Sequence, residues 1–263
     1  MGSILDTGLV SPADLERLFL QKYGAPATLG WGPRRRRRFD YYIPSDGYEA
    51  LIGNLIVDGC AWIDVGGGHQ IFPENPGLAR TLVSRCSVVV AVDPSDNVHQ
   101  NPFVHERWQG TLDDYRSDRQ FDVATIRMVA EHVEDPAAFV ASLGRLIRPG
   151  GRAVVFTVNE RSPLTLLSRV IPFALHDPIK KLFWGGEEKD TFPVCYRMNS
   201  RSKLLDLFRR HGFRESGFAY LDDLSTFGAF KFAGAIEMGA WRLLRGLGLT
   251  YPENCLLGVY EKQ

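Results

Sequence analysis

Cys60-Ala-Trp-Ile-Asp-Val-Gly-Gly-Gly68 and, 25 residues after its last glycine, the end of Val88-Val-Val-Ala-Val-Asp93 decide how this chain is read. Each is a short apolar run without alternation, the pattern of a strand buried on both faces. Glycines closing the first run let the backbone approach a ligand closely, and a carboxylate closing the second can take both hydroxyls of a ribose. A tight strand–helix turn followed by a surface aspartate is the plainer reading. The two features at matched spacing favour a nucleotide-type ligand.

Further β-branched or apolar runs follow at Phe121–Met128 and Arg152–Val158. Between the runs lie helical stretches, Pro76–Ser84 and Pro136–Ile147, the second starting on Asp135-Pro136 and stopping before Pro149-Gly150-Gly151. Strands interleaved with helices imply parallel pairing, hence a doubly wound α/β fold. Upstream, Ser11 and Pro12 open a helix that Gly24 ends. A second helix begins at Ser45, with Tyr48, Leu51, Ile52, Leu55 and Ile56 on one face and Gly59 to close it. Residues 159–198 are apolar and aromatic but poorly periodic, as an inserted lid would be. An amphipathic helix follows with Leu204, Leu205 and Phe208 inward and Gly212 after it, then a strand (Phe213–Tyr220), a helix (Gly228–Leu244) and a last strand (Cys255–Tyr260).

The 263 residues carry 31 basic and 31 acidic side chains, 44% hydrophobic residues and 11% aromatics, which suits one large domain with an embedded lid and excludes a disordered chain. Zero net charge argues against broad nucleic-acid binding. Cys60, Cys86, Cys195 and Cys255 show no CxxC and no histidine at metal spacing, so reduced thiols and no metal are expected. The first residues lack a signal-peptide pattern, Asp6 stands where myristoylation wants Ser or Thr, and no apolar run approaches the ~20 residues of a membrane span. A cytoplasmic protein with no integral membrane segment is expected; the oligomeric state is left open.

A dinucleotide turn wants a third glycine at position 71, which is Ile71, and no Walker Gly-Lys-Ser/Thr occurs. A cofactor without phosphates needs the glycines and the ribose acid but no pyrophosphate cradle. With Asp64-Val-Gly-Gly-Gly68, Val-Asp93-Pro-Ser95, Gln109-Gly110-Thr-Leu112, Phe121-Asp-Val-Ala124, Glu131-His-Val-Glu-Asp-Pro136 and Leu146-Ile-Arg-Pro-Gly-Gly151 in order, the chain resembles the class I S-adenosylmethionine-dependent methyltransferases, especially their small-molecule branch. The resemblance covers residues 45–160 well and the remainder loosely. It implies a mostly parallel seven-stranded sheet whose last strand is antiparallel. It also implies four parts: 1–44 as a helical segment over the cofactor, 45–158 as the cofactor-binding core, 159–198 as the lid and 199–263 as the rest of the sheet. Carried over by position, Asp64, Gly66 and Gly68 lie along the methionine and ribose part, and Asp93 holds the ribose. Pro94 flanks the adenine, Thr111 and Leu112 border it, and Arg127 lines the methionine end. Two departures are Gln70, where the family's third glycine would fall, and Thr111, where an acid often meets the adenine amine. Tyr42 is placed to cover the sulfonium side by cation–π contact.

Methyl transfer to an already activated carbon needs alignment and dryness, and a base only for a protonated acceptor. His132 is the base candidate, against a plainer role in holding its loop. In the lid, Asp190, Tyr196 and Arg197 are candidates to orient an acceptor that Phe183, Trp184 and Phe192 shield. The plainer roles are a cap for Asp190 and an ion pair for Arg197, and His176 reads as structural. Arg34 to Arg38 reads as a solvated segment between helices rather than a nucleic-acid patch. The expectation is a methyltransferase acting, by O-methylation first, on a small, partly apolar natural-product or lipid-like molecule. The rivals are an NAD-dependent oxidoreductase, a non-catalytic module that binds the cofactor or a partner, and RNA methylation through the arginine run.

Overall fold

The computed structural model describes residues 3–163, 165–166, 193–224, 231–250 and 252–263. Its apolar runs pair into one sheet: β1 (Ala61–Val65), β2 (Val88–Asp93), β3 (Glu106–Gln109), β4 (Phe121–Arg127), β5 (Ile147–Val158), β6 (Phe213–Leu221) and β7 (Cys255–Lys262). The order is β3-β2-β1-β4-β5-β7-β6. β1 pairs parallel with β2 and β4, β2 with β3, and β4 with β5. β7 runs antiparallel to both β5 and β6, as the resemblance implies. Alternate residues feed two cores, one per face. Trp62, Val89, Ala91, Val154 and Phe156 face one way, and Ile63, Val90, Val92, Ile126 and Val155 the other.

Helices α1 (Pro12–Tyr23), α3 (Pro44–Leu55) and α4 (Pro76–Val83) cover the first face, and α5 (Pro136–Leu146) and α6 (Arg201–Arg210) the second. The start of α1 follows its sequence signals. Ser11 and Asp14 form a reciprocal capping box, and Pro12 holds the first position. Under these helices sits a buried polar cluster. Lys22 Nζ lies 3.1 Å from Asp46 Oδ1 and 2.8 Å from Glu49 Oε1. Asn75 Nδ2 donates to Glu49 Oε2 at 2.8 Å, while Asn75 Oδ1 caps α4 by accepting from the Leu78 amide. The N-terminal helices are thereby tied to the residue that starts the helix after the glycine turn.

Several expectations are corrected. The arginine run is not a loose segment but most of a helix, α2 (Trp31–Arg38). Arginine is a good helix former, and the run is anchored. Arg35 stacks on Trp31 at 4.1 Å, Arg36 on Tyr23 at 4.7 Å, and Arg37 pairs with Glu16 at 2.7 Å. The helix expected to close at Gly59 ends at Leu55, and Gly59 (φ 79°) instead turns the chain into β1. Pro149-Gly150-Gly151 lies inside β5, which starts directly after α5, with a register shift between Phe121 and Val123 of its partner. Leu205 points outward, 41% exposed, because one helical turn of apolar residues does not say which of two neighbours faces the core. Most of the expected lid, including His176, Phe183, Trp184, Asp190 and Phe192, lies outside the described residues, as does Gly228. Helix α7 is described over Lys231–Gly246.

Candidate functional site

The carboxyl ends of β1, β2 and β4 lie side by side, and the turn after β1 leaves no room for a Cβ at its first two glycines. Gly66 has φ 78°, and a Cβ there would stand 2.1 Å from Val129 Cγ2. At Gly67 a Cβ would stand 2.8 Å from the Cβ of Ala91. The turn is held from three sides. The Gly66 amide donates to Val92 O at 2.8 Å, the Gly68 amide donates to Asp93 Oδ2 at 2.9 Å, and Asn101 Nδ2 donates to Gly67 O at 2.8 Å.

Asp93, 8% exposed at the end of β2, accepts the Ser95 amide on Oδ1 at 2.8 Å as well as Gly68 on Oδ2. Each oxygen is pinned by one backbone donor and keeps lone-pair capacity for a second, which suits a vicinal diol. Asp64 is buried, and its Oδ1 accepts from Thr125 Oγ1 at 2.6 Å, which in turn accepts from Trp62 Nε1 at 2.7 Å. Burial pushes the Asp64 carboxyl up to about 7, against the Thr125 hydrogen bond and the charge of Arg127. Half-buried Arg127 ends β4, two residues past Thr125. The exposed Pro94 follows Asp93, and Leu112 is buried in the core beyond Gly110. Thr111 is exposed, with its hydroxyl donated to Asp114 at 2.7 Å.

The three catalytic candidates meet in a second group. The loop after β4 is clamped by the 193–197 segment. The Cys195 and Tyr196 amides both donate to Glu131 O, at 2.6 and 3.1 Å, and Arg197 donates to Glu134 O. Below them the buried Glu131 carboxylate accepts from Thr157 Oγ1 at 2.6 Å. His132 Nδ1 lies 3.1 Å from Pro193 O. A carbonyl can only accept, so Nδ1 carries the hydrogen and the neutral ring keeps its lone pair on Nε2. Arg197 is bound to a backbone carbonyl, not to the acid of the plainer reading.

Tyr42 does not join the glycine turn. Its ring stands edge-on to Phe19 at 5.8 Å, its hydroxyl is 3.4 Å from Glu16 Oε2, and it lines a cavity of about 440 Å³ with Phe39, Tyr41, Ile43 and Trp241. The tyrosine that reaches the strand ends is Tyr48, buried beside Asp64 and Arg127. Neither Tyr48 nor Asn101 was singled out for the site. Tyr48 carries the signal of a core position on α3, and Asn101 acts on Gly67 across 34 residues.

A buried acid beside a glycine turn, at the carboxyl ends of parallel strands, is the arrangement of a nucleotide-type site of the doubly wound class. Residues 34–215, more than half of the chain, match the family described as Methyltransferase domain, and the chain belongs to it: it is a class I methyltransferase whose cofactor is S-adenosylmethionine. That closes the dehydrogenase alternative, in line with the buried Ile71 where a third glycine would stand. The chain is 27% identical over 176 residues to a ubiquinone biosynthesis O-methyltransferase of Methylococcus capsulatus, covering 60% of this chain and 72% of that one. It is 32% identical over 119 residues to the enzyme of that name from Nitrosomonas europaea, covering 41% of this chain and 48%, about half, of that relative. The solved S-adenosylmethionine-dependent methyltransferase of Mesorhizobium loti matches 85% of this chain and 100% of its own, with TM-score 0.51 and 16% identity, a likeness of fold. Among the described residues no helix is long and apolar enough to cross a membrane.

Proposed function

We propose that the chain transfers a methyl group to a hydroxyl of a small, partly apolar, lipid-like or natural-product acceptor. The placement of His132 carries this reading: it lies in the loop after β4 that the 193–197 segment clamps, and its Nδ1 is 3.1 Å from Pro193 O, a contact that in the neutral ring puts the hydrogen on Nδ1 and the lone pair on Nε2. Relatives named O-methyltransferases support the oxygen acceptor. When bound, S-adenosylmethionine supplies a methyl group already activated on a sulfonium. Asp93 holds the ribose hydroxyls, the glycine turn admits the chain between ribose and methionine, and Asp64 with Arg127 receives the charged methionine end. Pro94, Thr111 and Leu112 border the adenine. His132 takes the acceptor proton as the new C–O bond forms, and Tyr196 and Arg197 hold the acceptor's side of the loop. Residues 1–44 cover the site and 159–198 act as its lid.

Calorimetric titration of S-adenosylhomocysteine tests the cofactor half. Binding is expected to weaken about tenfold or more in Asp93→Ala, with no binding of NAD to either protein. A panel of phenols and alcohols tests the other half. His132→Gln is expected to lower kcat/KM about a hundredfold, with S-adenosylhomocysteine affinity unchanged. An unchanged rate in His132→Gln would return that residue to its plainer role of holding the loop. Cofactor binding without turnover on any acceptor would favour the non-catalytic module.

A further inference from the structure

The three most exposed large apolar side chains among the described residues are Ile236 (72%) and Leu243 (66%) on α7 and Leu247 (66%), whose amide donates to Leu243 O as the chain leaves that helix. Their spacing of i, i+7, i+11 places them in one stripe. Leu249, 55% exposed, follows just beyond the helix. The opposite face of α7 is already used, with Met238 and Trp241 buried against Tyr41 and Leu224. A helix apolar on both faces, with only one of them docked, presents a surface that water does not favour.

Near α7, on the side of its docked face, lies α2. The charge of Glu237 on α7 acts on Arg35 of α2, and Phe39 and Ile43, which follow α2, pack on the same cluster as Trp241. Trp31, 44% exposed, carries the Arg35 guanidinium over its ring. α2 holds five arginines and no acid, and the described side chains of α7 include Arg242 and Arg245 against Glu237. Those side chains therefore carry a net +6 in a chain whose total is zero. Arg36 and Arg37 are answered by Asp46 and Glu16, while Arg34 and Arg38 are exposed.

We infer that α2 and α7 form a docking face for an anionic lipid bilayer. The aliphatic stripe and Trp31 enter the boundary between headgroups and acyl chains, and the arginines meet the anionic headgroups. Charge segregation decides among the possible occupants. A second copy would bring another face of the same sign against this one, and a nucleic acid would leave the aliphatic stripe uncovered. A bilayer answers both halves of the surface at once. The inference stands apart from the methyl-transfer reading and does not depend on it.

Co-sedimentation of the full chain with vesicles of phosphatidylcholine alone, and with about a third of the lipid replaced by phosphatidylglycerol, tests it. Partition is expected into the anionic vesicles and to weaken as salt rises. Leu243→Ser/Leu247→Ser is expected to lower it about tenfold or more. Arg34→Ser/Arg38→Ser is expected to lower it about tenfold and to flatten the salt dependence. Both variants should bind S-adenosylhomocysteine as the parent does, which shows that they fold. Equal partition into neutral vesicles, or variants that partition like the parent, would overturn the inference. So would a dimer in light scattering that the leucine variant alone dissociates, because the stripe would then belong to a second copy. RNA retention lost only in the arginine variant would assign the face to nucleic acid.

Discussion

The chain buries two sets of carboxylates and treats them in opposite ways. Under the N-terminal helices, Asp46 and Glu49 are 0% and 3% exposed and share a resident cation, Lys22, whose side chain is itself 2% exposed. Burial alone would drive the proton off Lys22, but Asp46 and Glu49 outweigh it and the ammonium is held charged well above its ordinary range. At the strand ends, Asp64 is 4% exposed and has a hydroxyl rather than a cation as its partner. Among the described residues no lysine or arginine nitrogen lies within 4.0 Å of it. An acid that carries its own cation joins pieces of the fold. An acid left short of one marks where a ligand's positive charge belongs.

The largest effect expected from this contrast is at Lys22. Lys22→Met removes the cation that the two buried carboxyls share, leaving only Arg36, 3.9 Å from Asp46 Oδ2, and is expected to cost about 3–5 kcal/mol, a fall in Tm of roughly 10 °C by thermal denaturation. The deficit should narrow at pH 5 relative to pH 8, since acid protonates the stranded carboxyls. The triple variant Lys22→Met/Asp46→Asn/Glu49→Gln should recover most of it. A fall of less than a degree in Lys22→Met would mean the cluster does not join the N-terminal helices to α4.

At Asp64 the effect is smaller and of the opposite kind. Its folded pKa of about 7 lies above the unfolded value of about 3.9. The folded protein therefore keeps a proton that the unfolded chain gives up. The stability from this group is complete below about pH 4 and is lost as pH rises through about 7. A cationic ligand group beside Asp64 expels that proton. S-adenosylhomocysteine affinity is thus expected to rise between pH 6 and 8, by at most about tenfold per unit, with proton release seen in buffers of different ionisation enthalpy. Asp64→Asn should remove both the pH dependence and the proton release. If the dependence survives, the proton sits on another group and the contrast with Lys22 fails.

The contrast also shows what a single sequence displays. The placement of Gly66, Gly68, Asp64 and Asp93 at the ends of β1 and β2 was legible because it rests on local spacing, and the strands themselves because both-face burial writes an unbroken apolar run. β3 was not, since Glu106-Arg-Trp-Gln109 is exposed at every position and reads as loop; its charges are how an edge strand avoids further pairing. The helix α2 was hidden for a similar reason. Five arginines look like a solvated run until Trp31, Tyr23 and Glu16, which lie near them only in the fold, hold them. The Lys22 cluster joins residues 22, 46, 49 and 75, and no periodicity connects those four.

The smallest effect expected concerns Tyr48, which sits between the two behaviours. Its ring is fixed, stacked on Phe156 at 5.1 Å and edge-on to Phe72 at 6.0 Å. Its hydroxyl is buried beside Asp64 and close to Thr125, whose own hydrogen bonds go to Asp64 and Trp62, and by geometry it has no hydrogen-bond partner among the described residues. A buried hydroxyl left unpaired costs stability, so removing it should be neutral or slightly stabilising in the free protein. Tyr48→Phe keeps the ring and is expected to leave Tm unchanged or raise it by about a degree. If the hydroxyl belongs with Asp64 as a group awaiting a ligand, the same variant should weaken S-adenosylhomocysteine about fivefold, the worth of one hydrogen bond. Weaker binding with no loss of stability would add the Tyr48 hydroxyl to the groups that meet the ligand beside Asp64. Unchanged binding would make that hydroxyl a tolerated cost of placing a large flat ring between Phe72 and Phe156.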